Sequence, residues 1–171
     1  MELRFVPPDL RRLDELSAEV ATCTLFEDDW PMTGLAGLLD WRLAGRLSAL
    51  GRRGYLTGAS GEVMLVPGRP RVPFEKVVLL GLGRREAFDD GACSRALERI
   101  GDVLEGLKVR RAVVELPGRA DGTIAPERAT ELLLQGVGKS KEHDAWWLVE
   151  DERAEQAVTA RARDDQRRRR I

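Results

Sequence analysis

Residues 81–86 read GLGRRE: two glycines one residue apart, then two arginines and a glutamate. Glycines at this spacing after a strand let backbone amides approach a phosphate, as in a GxGxxG turn. Here Glu86 stands where the third glycine would be. Asp89 and Asp90 also put negative charge at the start of the next helix, where a phosphate would otherwise sit. The first reading is therefore a tight turn flanked by solvated arginines. The second is a ligand contact through Gly81, Leu82, Gly83, Arg84 and Arg85. The turn at 117–122, PGRADG, adds Gly118, Arg119 and Asp121 to that second reading, because ligands of open α/β sheets gather beyond the carboxyl ends of strands.

Other constellations carry less chemistry. GVGKS at 136–140 has the lysine and hydroxyl of a phosphate-binding loop, but Leu133 replaces the leading glycine and the segment runs from helix to strand, the reverse of the required order. Gly136 reads as a helix terminator. His143 is the one histidine, and Cys23 and Cys93 share no ligand-like spacing, so no metal site is expected. Ser140 and Asp144 flank His143 without an oxyanion-hole context, and a solvated histidine beside Asp144 is the expectation. Glu27, Asp28 and Asp29 read as surface charge ending a strand.

Four tryptophans, Trp30, Trp41, Trp146 and Trp147, stand out against 5% aromatic residues. In a strand, Trp146 and Trp147 must point to opposite faces. One can fill the core while its neighbour anchors a partner, so Trp30, Trp146 and Trp147 are the candidate interface residues.

These side chains sit in a chain of 171 residues with 43% apolar and 33% charged residues and a net charge of −1. A domain of that size buries roughly 70% of the surface its unfolded chain exposes, and no global field draws it to nucleic acid or a membrane. The arginines at 161, 163 and 167–170 read as a solvated tail, which Asp164 and Asp165 dilute and no aromatic residue interleaves, so nucleic-acid binding is not expected. The longest apolar run is far short of a membrane span and the amino terminus lacks a basic-then-apolar leader. A cytoplasmic protein is the expectation, with both cysteines as buried reduced thiols.

Strand-like runs at 3–5, 20–26, 63–66, 77–80, 112–116 and 146–149 alternate with helical patterns. One long helix is expected from Thr33, as cap, to Gly51, with a leucine stripe at 35, 38, 39, 43, 47 and 50. Others are expected at 92–107 and from Pro126. The run at 77–80 is apolar at every position and needs cover on both faces. The pattern implies an α/β fold, a three-layer α/β/α domain with a mixed, centrally parallel sheet of about six strands. It divides into a domain at 1–150 and a charged carboxyl-terminal helix or tail at 151–171.

Three stretches in order, LAGLLDWRLAGRLSALGRRG at 35–54, the paired strands within 61–83 that include LVP and KVVLLGLG, and ELLLQG at 131–136, resemble the amino-terminal domain of the leucine (cytosol) aminopeptidase family. The resemblance implies a macro-domain-like fold, similar to modules that bind ADP-ribose and related nucleotides. It also implies that the family's metal-binding peptidase half would begin where this sequence stops, so no catalytic residue, metal or cofactor is expected. The expected function is that of a non-catalytic module acting by protein association or oligomerisation. The alternatives are a binder of ADP-ribose or a nucleotide, and a regulatory subunit of a separately encoded aminopeptidase.

Overall fold

A computed structural model describes residues 2–136 and 143–168, with side chains through residue 160. Lys139 and Ser140 of the GVGKS stretch, and the arginine side chains of the tail, lie outside the described residues.

Six strands form one sheet in the order β1-β6-β5-β2-β4-β3. They are β1 (Glu2–Val6), β2 (Val20–Leu25), β3 (Val63–Pro67), β4 (Lys76–Gly81), β5 (Arg111–Val114) and β6 (Ala145–Val149). All neighbours are parallel except β3 on β4. The mixed, centrally parallel α/β/α fold is therefore present, with one antiparallel edge; the β1 edge is parallel.

Why the central strands read as unbroken apolar runs is visible in β4. Val77 and Leu79 enter one core with Leu35, Leu39 and Leu47, whereas Val78 and Leu80 enter the other with Leu97, Ile100 and Leu104. Strand side chains alternate between faces, so a strand covered on both sides has no position for a polar residue without a partner. The first layer holds α1 (Leu10–Asp14), α2 (Gly34–Arg42) and α3 (Arg46–Arg52), and the second holds α4 (Asp90–Gly106) and α5 (Pro126–Gly136). Truncating Leu97 or Leu35, each fully buried, to alanine would cost about 2–5 kcal/mol. A last helix, α6 (Glu152–Arg168), packs on α5 and buries Ala154 and Val158.

The single long helix expected from Thr33 is instead two. Ala44 and Gly45 adopt positive φ, 57° and 76°, and break it between α2 and α3. The leucine stripe continues across the break because Leu43 and Leu47 both reach the same core, which is why periodicity alone does not reveal it. Asp40 then supplies the missing cap, its Oδ1 accepting from the Leu47 and Ser48 amides at 2.7 and 3.2 Å.

Both carboxyl-terminal tryptophans are buried. Trp146 is inaccessible and lies in the α4–α5 core, while Trp147 lies in the opposite core under the Arg4 guanidinium. They take opposite faces as strand geometry requires, but both faces are covered, so neither is an exposed anchor on this chain. His143 is likewise buried, not solvated. Its Nδ1 lies 2.8 Å from the Val109 carbonyl, and Asp144 pairs with Arg110 instead.

Candidate functional site: the crevice at the strand ends

Strands β2, β4 and β5 run parallel, so the segments leaving them, 26–33, 82–88 and 115–125, emerge at the same end of the sheet. Two internal bridges join these segments, one made by Glu115 and one by Arg85.

Glu115 follows β5 directly and is 2% exposed. Its Oε1 accepts from the Leu35 amide at 2.6 Å, and its Oε2 from the Thr24 amide at 3.0 Å and the Thr24 hydroxyl at 3.3 Å. Leu35 lies in the first turn of α2, where unpaired amides and the helix dipole favour an anion. The expected cap, Thr33, makes no such bond; its hydroxyl donates to Asp29 at 3.0 Å. Burial pushes the Glu115 carboxyl up to about 7, against the lowering effect of the Leu35 and Thr24 donors and with a further upward push from Asp29. Gly34 makes this approach sterically open: a Cβ there would lie 2.4 Å from Glu115 Oε1 and 2.5 Å from the Ala120 Cβ.

Arg85 forms the second bridge. Its guanidinium pairs with Asp28 and Asp29 at 3.6 Å each and with Asp121, and lies 4.4 Å from the centre of the Phe26 ring. Asp121 also accepts from the Thr123 hydroxyl at 2.7 Å. Phe26 in turn meets Phe88 edge to face at 5.2 Å. Of the acidic run at 27–29, Asp29 is buried rather than surface charge. Glu27 and Asp28, with Arg84, Arg85 and Glu86, line an open cleft of about 380 Å³.

Among the residues expected to contact a ligand, Arg85 and Asp121 are brought together, but the glycine turn is not a free amide cradle. The Gly81, Leu82 and Gly83 amides donate to the carbonyls of Glu62, Leu25 and Gly58 at 2.8, 2.9 and 2.8 Å. Gly81 is required for a different reason: a Cβ on it would fall 2.0 Å from the Ala59 carbonyl oxygen. Asp89 caps α4 through the Ala92 amide at 2.7 Å. Arg84 is exposed and near Glu27 and Glu86. Gly118 adopts positive φ against Phe88. Arg119 forms a bidentate pair with buried Glu150 at 2.7 and 2.9 Å, and donates to the Ile124 carbonyl. Glu115 itself is missed by motif reading; its only sequence signal is an acid directly after an apolar strand, a signal that 27–29 shares.

Cys23 and Cys93 lie in opposite cores, their thiols raised chiefly by burial, that of Cys93 to about 11. Neither is an activated nucleophile. No group of three or more metal-ligating side chains occurs among the described residues, and no helix among them is long and apolar enough to cross a membrane.

Strand order, layers and the crevice between these segments define a macro-domain-like α/β module. The macrodomain of Mycobacterium tuberculosis DarG superposes with a TM-score of 0.68 over 87% of this chain and 98% of its own, at 16% identity. A tomato leucine aminopeptidase superposes with a TM-score of 0.66 over 93% of this chain and 35% of its own, also at 16% identity. Residues 24–141 match the family model described as the cytosol aminopeptidase family, N-terminal domain, and the chain belongs to that family. A probable cytosol aminopeptidase of Trichormus variabilis is 31% identical over 102 residues, 60% of this chain and 20% of the relative. One from Thermosynechococcus vestitus is 27% identical over 139 residues, 80% of this chain and 27% of the relative. The chain thus spans about a quarter or less of the curated relatives it matches, and the family match is to the amino-terminal domain.

Proposed function

We propose that this chain is a non-catalytic module that works in the cytoplasm by protein association, with a second copy or with a separate partner. The observation that carries the reading is Trp41, 74% exposed on the outer side of α2. A tryptophan left in water on a well-packed domain is a large apolar contact without a partner, and tryptophan is enriched among residues that dominate interfaces. Tyr55, 66% exposed, and Trp30, 38% exposed, accompany it around α3. The crevice supports the same reading from the other side: an internal carboxylate takes the α2 amide, and the glycine-turn amides are engaged by carbonyls. Light scattering on the eluted chain, over a wide range of concentration and alone or with a purified cytosol aminopeptidase, tests association. A species larger than one chain that Trp41→Ala disperses is expected; a monomer under every condition overturns the reading.

The second reading, a binder of ADP-ribose or another nucleotide, is favoured by one feature, the cleft beside Arg84 and Arg85. Calorimetry with ADP-ribose and common nucleotides separates the two. No heat at millimolar ligand ends the nucleotide reading and leaves association standing.

A further inference from the structure

Helix α3 presents an uncompensated positive face between two exposed aromatic residues. At about 100° per residue, Arg46, Arg52 and Arg53 fall within an outer arc of roughly 120°, away from Leu47, and Leu47 is fully buried while the three arginines are exposed. Asp40, the nearest carboxylate before α3 in sequence, and Asp14, which meets neighbouring Arg42, are already engaged. Asp40 accepts from the Leu47 and Ser48 amides and the Ser48 hydroxyl, and Asp14 pairs with Arg42 at 2.6 Å. Among the described residues Arg46, Arg52 and Arg53 have no ion-pair partner. Trp41 precedes the helix and Tyr55 follows it, the Tyr55 amide donating to the Leu50 carbonyl at 3.0 Å. Trp30 lies along the helix against Gly51, where a Cβ would fall 2.0 Å from its ring.

We propose that this α3 face docks a short acidic segment of a partner polypeptide, with Trp41 and Tyr55 as apolar contacts at its ends; the proposal rests on the association reading and names the partner's chemistry. Charge complementarity sets the class. Three cations on an outer arc, in a protein whose net charge is −1, make a local and small attractive field. Size sets the length. Seven helical residues rise about 10 Å, the reach of roughly three extended residues, so with its flanking aromatics the face spans a segment of about five. A nucleic-acid strand fits less well: its affinity grows with the number of phosphates neutralised along a track, and Trp30 is pressed on α3 rather than free to stack a base.

The test uses the whole chain and two labelled probes, a decapeptide of glutamate and aspartate with a central leucine and an oligothymidylate of similar length, read by fluorescence anisotropy. The expected result is salt-sensitive binding of the peptide, weakened about tenfold by the triple change R46E, R52E and R53E, as three partly screened ion pairs would give. W41A weakens it as well, and circular dichroism shows both variants folded. Absence of peptide binding, binding indifferent to the triple change, or tighter binding of the oligothymidylate overturns the proposal. If light scattering shows association that persists unchanged in the triple variant, the association reading stands and this face is not its seat.

Discussion

The carboxylate of Glu115 lies 2.6 Å from the backbone nitrogen of Leu35, 80 residues away in sequence. It joins the end of β5 to the first turn of α2, and its other oxygen holds the Thr24 amide of β2. One side chain thus ties the central sheet to the helical layer at the place where an α/β fold leaves an anion-seeking helix end open.

Burial of this carboxyl, outweighing the donors it accepts from, makes stability depend on pH in an unusual direction. The carboxyl titrates near 7 in the folded chain against 4.5 when unfolded, so the folded state holds its proton more tightly. The associated stability is fully present below about pH 4.5 and is lost as pH rises through 7. The protonated group keeps a partner, because the Thr24 hydroxyl at 3.3 Å can accept in turn. Urea unfolding at pH 5.5 and 8 should give a stability difference on the order of 2 kcal/mol from this group. Glu115→Gln, which cannot titrate, should show a correspondingly smaller difference; equal pH dependence in both proteins would remove Glu115 as the source.

Gly34→Ala should be disruptive although it adds one methyl group. The residue has φ +57°, and the new Cβ would meet Glu115 Oε1 at 2.4 Å and Ala120 Cβ at 2.5 Å. Left-handed backbone and displacement of a buried carboxylate together cost about 2–4 kcal/mol. Gly45→Ala is the control, with φ +76° but nothing within 4 Å of the added carbon, and should cost only about 1 kcal/mol. Thermal unfolding of the pair separates steric conflict from conformation.

The layers of the fold are legible because the apolar runs at 77–80 and 112–114 are short and valine-rich, as strands covered on both faces are, and Asp89 announces the start of α4 that it caps. The crevice is less so. Thr33 has the composition and place of a cap, yet the α2 amide goes to an acid from a strand end far along the chain, a choice made by tertiary packing. GLGRR reads as a phosphate turn because local spacing does not say that carbonyls of Glu62, Leu25 and Gly58 will take its amides. His143 reads as solvated because its polar neighbour Asp144 marks the rim, while its own side chain turns inward; one of Trp146 and Trp147 reads as an anchor because strand alternation does not say that the second face is covered too.

Arg119 and Glu150 should behave as a buried pair. Their side chains are 13% and 4% exposed and share two hydrogen bonds, so Arg119→Ala strands a carboxylate out of water and should cost about 3–5 kcal/mol. Replacing both, Arg119→Met with Glu150→Leu, should recover much of that loss because no charge is left unpaired. Denaturant midpoints of the single and double variants measure it; a double variant as unstable as the single would mean that packing of the guanidinium, not its charge, is what matters.

Arg85→Ala tests whether the crevice is held shut by its own ion pairs. The guanidinium meets Asp28, Asp29 and Asp121 from two different segments and covers the Phe26 ring. Its removal leaves Asp29, only 7% exposed, with the Thr33 hydroxyl as its remaining partner and with Glu115 as a repulsive neighbour. The expected loss is about 1–3 kcal/mol, kept modest because Asp28 and Asp121 are open enough to be rehydrated. The more specific consequence is local. With its anchor gone, the 118–123 segment should exchange its amide hydrogens faster, while α4, whose cap on Asp89 is untouched, should not. Hydrogen exchange read by mass spectrometry distinguishes the outcomes: faster exchange confined to 118–123 and 26–33 identifies Arg85 as the clasp between the two segments, and unchanged protection there would assign that role to Glu115 alone.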